Sequence, residues 1–172
     1  MADQTAEESL RALMRNYPQG VAVVVADAGE GPRGVTVSSF VSISLAPPLV
    51  LISISHASPS HLLIDRASCF TINVLSDQQG ALSEHFARPD LSSEEQFQTV
   101  RVHRGSRSTP WIEGCLAYLD CGVVDRVIQA DHTLFIARVE HSELHLESGR
   151  PLVFYSGDYW GLGSVVYNRH HR

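Results

Sequence analysis

The chain of 172 residues contains no lysine; its thirteen strong cations are all arginine. Without lysine there is no Schiff-base chemistry of the pyridoxal or aldolase kind, and no P-loop, whose lysine reaches the β/γ-phosphates. An Arg-for-Lys bias of this kind also follows from a GC-rich genome. Positive charge is in short supply as well. A net charge of −6 and a pI near 5.8 leave no basic face for nucleic acid or an anionic membrane. No apolar run approaches the roughly 20 residues of a membrane helix, and no signal-peptide pattern opens the chain, which points to the cytoplasm. Cysteine is scarce and odd in number. Cys69, Cys115 and Cys121 lack CxxC spacing and sit in apolar stretches, so they read as small buried hydrophobes.

What is present is the composition of a soluble globular protein, 44 % hydrophobic and 19 % charged. The length suits a single domain over 1–172, with a core of about 17–160 that removes about 70 % of the unfolded surface from water. Thr5 and Glu8 form a capping-box pattern ahead of Leu10, Leu13 and Met14, predicting an N-terminal helix over 5–16. From Val21 the texture becomes β-branched. Strands are expected at 21–25, 33–44, 48–55 and Phe70–Leu75, with a short helix at 58–67. Leu82 and Phe86 mark a helical region within 77–98, and 103–110 reads as an irregular surface loop. Two long strands, Leu116–Ile128 and His132–Leu146, look like a hairpin; Pro151–Tyr155 is the last strand, before an aromatic and then basic tail (164–172). About seven strands with only short helices predict a mainly β fold, a closed or nearly closed barrel without free edges.

The most informative stretch is 33–60. With a period of two, Val35, Val37, Val41 and Ile43 share one face, and Thr36, Ser38, Ser42 and Ser44 the other. Ser39, Ser53, Ser55, Ser58 and Ser60 bring the count to nine hydroxyls in 25 residues. A dry core would not hold so many, since each unpaired one costs about 1–3 kcal/mol. They either face water or line a polar ligand. Serines at the opening of a helix suit a phosphate, because free N–H groups and the helix dipole favour an anion there.

Gly34-Val35-Thr36-Val37-Ser38-Ser39-Phe40, then Ser42-Ile43-Ser44 and Pro47-Pro48-Leu49-Val50, resemble the flavin reductase family. So do Phe70-Thr71-Ile72-Asn73-Val74-Leu75, Phe86-Ala87-Arg88 and Asp131-His132-Thr133-Leu134-Phe135-Ile136, so that the resemblance runs from about Tyr17 to Tyr159. It implies a split β-barrel with Greek-key character, a homodimer with flavin near the subunit interface, and an NAD(P)H:flavin oxidoreductase that serves a two-component monooxygenase. Carried over residue by residue, Thr36, Val37, Ser38 and Ser39 would meet the isoalloxazine edge. Ser53, Ile54 and Ser55 would run beside the ring and ribityl chain. Ser58 and Ser60 would hold phosphate, with Arg88 adding charge; Arg88 also reads as a solvated arginine at a helix end.

His132 is the residue the resemblance assigns to the nicotinamide, in a position where the family commonly carries Gly-Asp-His and this chain has Ala130-Asp131-His132. Its plainer reading is a histidine at a strand start, bonded to Asp131. An imidazole there would donate to the nicotinamide amide or the reduced flavin, and histidine changes charge near physiological pH. The remaining histidines complete no metal site, and no nucleophile elbow is present. Tyr155, Tyr159 and Trp160 are read as capping the flavin ring or an interface, with core packing for at least one of them.

The expected partners are therefore flavin, nicotinamide nucleotide and a separate oxygenase. FAD is favoured over FMN because Asp131–Val139 resembles the styrene-monooxygenase type of reductase. NADH is favoured over NADPH because no arginine cluster awaits a 2′-phosphate, although Arg104 and Arg107 stand close in sequence. Two alternatives stay open: a flavin carrier without fast NADH turnover, and a barrel whose serines merely face water.

Overall fold

The computed structural model describes residues 5–105, 109–145, 147 and 149–164. In chain order these form α1 (Ala6–Arg15), β1 (Gln19–Gly20), β2 (Ala22–Ala26), β3 (Arg33–Val37), β4 (Val41–Leu45), β5 (Pro48–Ser55), α2 (Pro59–Ala67) and β6 (Cys69–Val74). There follow α3 (Gly80–Ala87), α4 (Ser93–Phe97), β7 (Val102–Arg104), β8 (Pro110–Ile112), β9 (Ala117–Gln129), β10 (His132–Leu144), β11 (Leu152–Tyr155) and β12 (Asp158–Gly161). The protein is mainly β with short helices. Seven strands form one antiparallel sheet in the order β3-β2-β6-β9-β10-β5-β4; β1-β11-β12 and β7-β8 form two smaller sheets.

The β2 run is apolar at every position because both of its faces are covered. Ala22, Val24 and Ala26 pack with Ile52, Phe70, Ile72 and Phe135 in one core, which α2 closes through Leu63 and Ile64. Val21, Val23 and Val25 point the other way, into a second core with Leu75, Phe86, Ile112 and Leu152. A half-solvated strand would alternate apolar with polar residues; this one divides its valines between two cores.

Several expectations are revised. The single strand over 33–44 breaks at 38–40, and its halves lie at opposite ends of the seven-strand order. Val41 and Ile43 therefore do not share a face with Val35 and Val37; with Leu45 they stand exposed on the β4 edge. No ladder closes the sheet among the described residues. The helical region divides into α3 and α4 around Pro89, and the supposed loop at 103–110 contains the β7-β8 pairing, with 106–108 outside the described residues. The aromatic tail contributes β12, and all but Ser164 of the basic tail lies outside the described residues. The N-terminal capping box is formed, Glu8 N–H donating to Thr5 Oγ1 at 3.2 Å and Thr5 N–H to Glu8 Oε2 at 3.0 Å. Cys115 and Cys121 are buried and Cys69 half-buried. Burial pushes the Cys115 thiol up to about 11 and the Cys121 thiol up to about 12, so both stay protonated.

The β9-β10 hairpin turns at Ala130 and Asp131, and Ala130 has φ +50°. A side chain is strained in this left-handed region, where glycine is not. Ala130→Gly is expected to stabilise the protein by up to about 1 kcal/mol, read as a higher urea midpoint at unchanged slope.

Candidate functional site

Although β3 and β5 stand five places apart in the sheet, they face one another across its open seam. The Ser39 hydroxyl bridges that gap, donating to Ser53 O at 2.9 Å and accepting from Ser53 N–H at 3.2 Å. A cavity of about 320 Å³ lies along the seam, lined by Thr36, Val37, Ser38 and Ser39 from the β3 side. Ser53, Ile54, Ser55, Ser58 and His132 line the other side. Nine of the residues expected from the sequence thus meet in one place. Half-exposed hydroxyls beside valine and isoleucine make a wall suited to a flat, oxygen-rich heterocycle and its polyol chain.

His132 reaches this cavity through register. It is cross-strand to Ser55, at the first position of β10. Its Nδ1 lies 2.8 Å from Asp131 Oδ1, and that bond holds the Asp131 carboxyl below the usual carboxylate range. Asp131 also accepts, through its main-chain carbonyl, from His56 N–H at 2.8 Å. Behind the sheet, the buried Thr133 hydroxyl lies 3.0 Å from His56 Nε2 and 2.8 Å from His61 Nε2. Both rings converge on one hydroxyl, so the 55–61 turn is tied to the hairpin end that carries His132. Burial, then the neighbouring His56, lowers the His61 pKa from the ordinary 6.5.

A second cavity, about 270 Å³, shares Val35, Ser55 and Ser58 with the first. Ser58 caps α2 by accepting from Ser60 N–H at 3.3 Å. Ser60 is buried, and its hydroxyl donates to Gly34 O at 3.2 Å, so it lies in the wall with its donor already used. Arg88 stands at the rim with its guanidinium on Asp90, at 2.7 and 3.4 Å. Tyr159 is not brought to either cavity. It lines an adjoining space of about 160 Å³ with Thr36, Val37 and Ser38, which also line the seam cavity, its ring against Phe154 and its hydroxyl accepting from Ser83 at 2.8 Å. Burial raises the Tyr159 pKa. Tyr155 and Trp160 are exposed, and Arg104 is exposed on β7; Arg107 lies outside the described residues.

The sequence reading missed three residues that shape this end of the site: Arg33, Gly34 and Gln96. Gln96, fully buried, accepts from Gly34 N–H at 3.0 Å and donates to Gly34 O at 3.2 Å, completing the edge of β3 as a neighbouring strand would. A Cβ at Gly34 would run into the Phe86 ring. Thr36 Oγ1 donates to Ser83 O at 2.6 Å, so the 80–97 segment is fastened along the whole of β3. Arg33 donates through Nη2 to Pro89 O at 3.1 Å and Leu91 O at 2.8 Å, while its Nε is buried without an acceptor. Hydroxyl walls with an under-used cation at one end fit a phosphorylated flavin. The arginine preceding the Gly-Val-Thr-Val run was the available signal for Arg33; nothing local pointed to Gln96.

Known proteins share this architecture. A family model described as flavin reductase like domain matches residues 14–163. A flavin reductase of Pseudomonas putida is 36 % identical over 156 residues, covering 90 % of this chain and 89 % of its own. The NADH:FAD oxidoreductase SgcE6 of Streptomyces globisporus, solved with NAD and FAD fragments, is 30 % identical with a TM-score of 0.86, over 97 % of this chain and 99 % of its own. The styrene monooxygenase flavin reductase of Pseudomonas putida S12 is 30 % identical with a TM-score of 0.82, over 92 % and 99 %.

Proposed function

This chain belongs to the flavin reductase-like domain family, and from that membership we propose that it transfers hydride from NADH to FAD or FMN and supplies reduced flavin to a separate monooxygenase. The observation that carries the reading is the seam cavity, where hydroxyls from β3 and β5 converge with His132. When bound, the flavin and nicotinamide would supply the reactive atoms for hydride transfer. The chain's own work is to bind, orient and exclude water.

Thr36, Val37, Ser38 and Ser39 would meet the ring edge, and Ser53, Ile54 and Ser55 the ring and ribityl chain. Ser58 and the main chain about Ser60 would take the phosphate end, with Arg88 at the rim once it lets go of Asp90. His132 would hold the nicotinamide. Tyr159 acts at one remove, bracing Ser83, whose carbonyl fixes the Thr36 hydroxyl.

The unit is a single domain over 1–172 whose core, about 17–160, is a split Greek-key barrel, and the seam is its split. Two copies pair through exposed apolar surface. Val41, Ile43 and Leu45 belong to an edge strand that is paired on one side only, and Leu10, Leu13 and Met14 of α1 are exposed in the protomer. Both are surfaces that a solitary protein would leave open to aggregation. No helix among the described residues is long and apolar enough to cross a membrane; the protein works in the cytoplasm.

Steady-state NADH oxidation with FAD, with FMN and without flavin tests the proposal. Added flavin is expected to raise NADH consumption many-fold, with NADH preferred over NADPH. No stimulation by either flavin would sink it. Quenching of flavin fluorescence without turnover would leave a flavin carrier instead.

A further inference from the structure

Of the two arginines on the second cavity, one is neutralised and the other is not. Arg88 is paired with Asp90, whose carboxylate sits below its ordinary range because Arg88 donates to it. Arg33 has no carboxylate partner among the described residues; it donates to the Pro89 and Leu91 carbonyls. Those bonds occupy Nη2, and they fix the guanidinium against the 88–92 loop without cancelling its charge. The Nε donor is buried with nothing to accept from it. Arginine cannot shed its proton, so a half-buried guanidinium held by two carbonyls alone keeps its full charge and favours an anion brought from outside. The cavity it lines also exposes the capped start of α2 at Ser58, whose helix dipole has the matching sign.

We propose that Arg33 is the residue by which this site selects a phosphorylated flavin over riboflavin, its guanidinium giving the fixed positive charge that the flavin phosphate meets. Arg88 is the secondary cation, because a phosphate must displace Asp90 to reach it. The inference rests on the flavin reductase reading and deepens it. It assigns to a residue of β3 the selection for a phosphate, whether the monoester of FMN or the pyrophosphate of FAD.

The test is fluorescence titration of the full chain with riboflavin, FMN and FAD at low and high salt, for wild type, Arg33→Gln, Arg33→Lys and Arg88→Gln. Wild type is expected to bind FMN about 10- to 100-fold more tightly than riboflavin, the range of a charge-assisted hydrogen bond. Salt should narrow that ratio. Arg33→Gln is expected to abolish the preference while leaving riboflavin affinity unchanged, and Arg33→Lys to restore part of it. Arg88→Gln should have the smaller effect. An unchanged FMN-to-riboflavin ratio in Arg33→Gln overturns the proposal. So does an equal loss of both ligands in Arg33→Gln and Arg33→Lys, which would make Arg33 only a brace for the 88–92 loop. If wild type binds none of the three flavins, the parent reading falls, and this inference with it.

Discussion

Gln96→Leu is expected to destabilise the protein by about 1–3 kcal/mol and to weaken flavin binding in the fraction that stays folded. The side chain is nearly the same size, so packing volume is conserved and the loss is one of hydrogen bonding. Gly34 O keeps the Ser60 hydroxyl, but Gly34 N–H is left buried with no acceptor, and that unmade bond sets the cost. For a chain of this length each kcal/mol is worth about 2–4 °C in Tm. The functional effect follows from position: Gly34 and Val35 line the second cavity, and β3 continues into Thr36–Ser39 along the first. Gln96→Glu separates the contributions. An ionised carboxylate accepts from Gly34 N–H but confronts the Gly34 carbonyl, whereas a protonated one donates to it as the amide does. Burial favours the protonated form. The deficit of Gln96→Glu in both Tm and flavin affinity, relative to wild type, should therefore shrink as pH falls from neutrality. A pH-independent deficit would show that the amide does not act through the Gly34 carbonyl.

Gln96 also shows where reading from sequence reaches its limit. The hydroxyl band from Thr36 to Ser58 was legible because it is local: a period of two, a turn, then a helix cap, all within one stretch. His132 was legible through a short motif at a strand start. The register that sets it opposite Ser55 is a property of pairing between β5 and β10, more than seventy residues apart. The two faces of 33–44 were misjudged for a related reason. The alternation keeps its phase on either side of Ser38-Ser39-Phe40, and only the departure of β4 to the far side of β5 turns Val41, Ile43 and Leu45 outward. Buried polar residues such as Gln96 and Asn73 carry no periodic signal at all. Asn73 accepts from Ile112 N–H at 2.7 Å and donates to Val23 O at 3.0 Å, joining three segments that sequence treats as unrelated. Such contacts appear only when the chain is folded, and here they hold the wall on which the local motif sits.

His132→Ala is expected to lower NADH turnover about 10- to 100-fold while flavin affinity changes little, because one hydrogen bond to the nicotinamide is removed and the hydroxyl walls remain. The direction of the proposed bond follows from Asp131. Asp131 Oδ1, held ionised by its short contact with Nδ1, accepts the Nδ1 proton. A neutral His132 therefore keeps its Nε2 lone pair free and, in the proposed role, would accept from the carboxamide N–H of the nicotinamide. Donation from Nε2, the role first suggested by the sequence, is left to the imidazolium alone. Asp131→Asn tests the acceptor role. Its exposed amide turns either its oxygen or its NH2 to Nδ1, so the lock on the tautomer is lost and the neutral ring no longer holds Nε2 as an acceptor. If acceptance is what positions the nicotinamide, Asp131→Asn should raise the KM for NADH, though by less than His132→Ala does, with the flavin dissociation constant unmoved. Unchanged NADH affinity in Asp131→Asn would show that the tautomer set by Asp131 is not what holds the nicotinamide. An equal loss of flavin and NADH binding in His132→Ala would reduce the residue to a structural one, closing the hairpin end against Ser55.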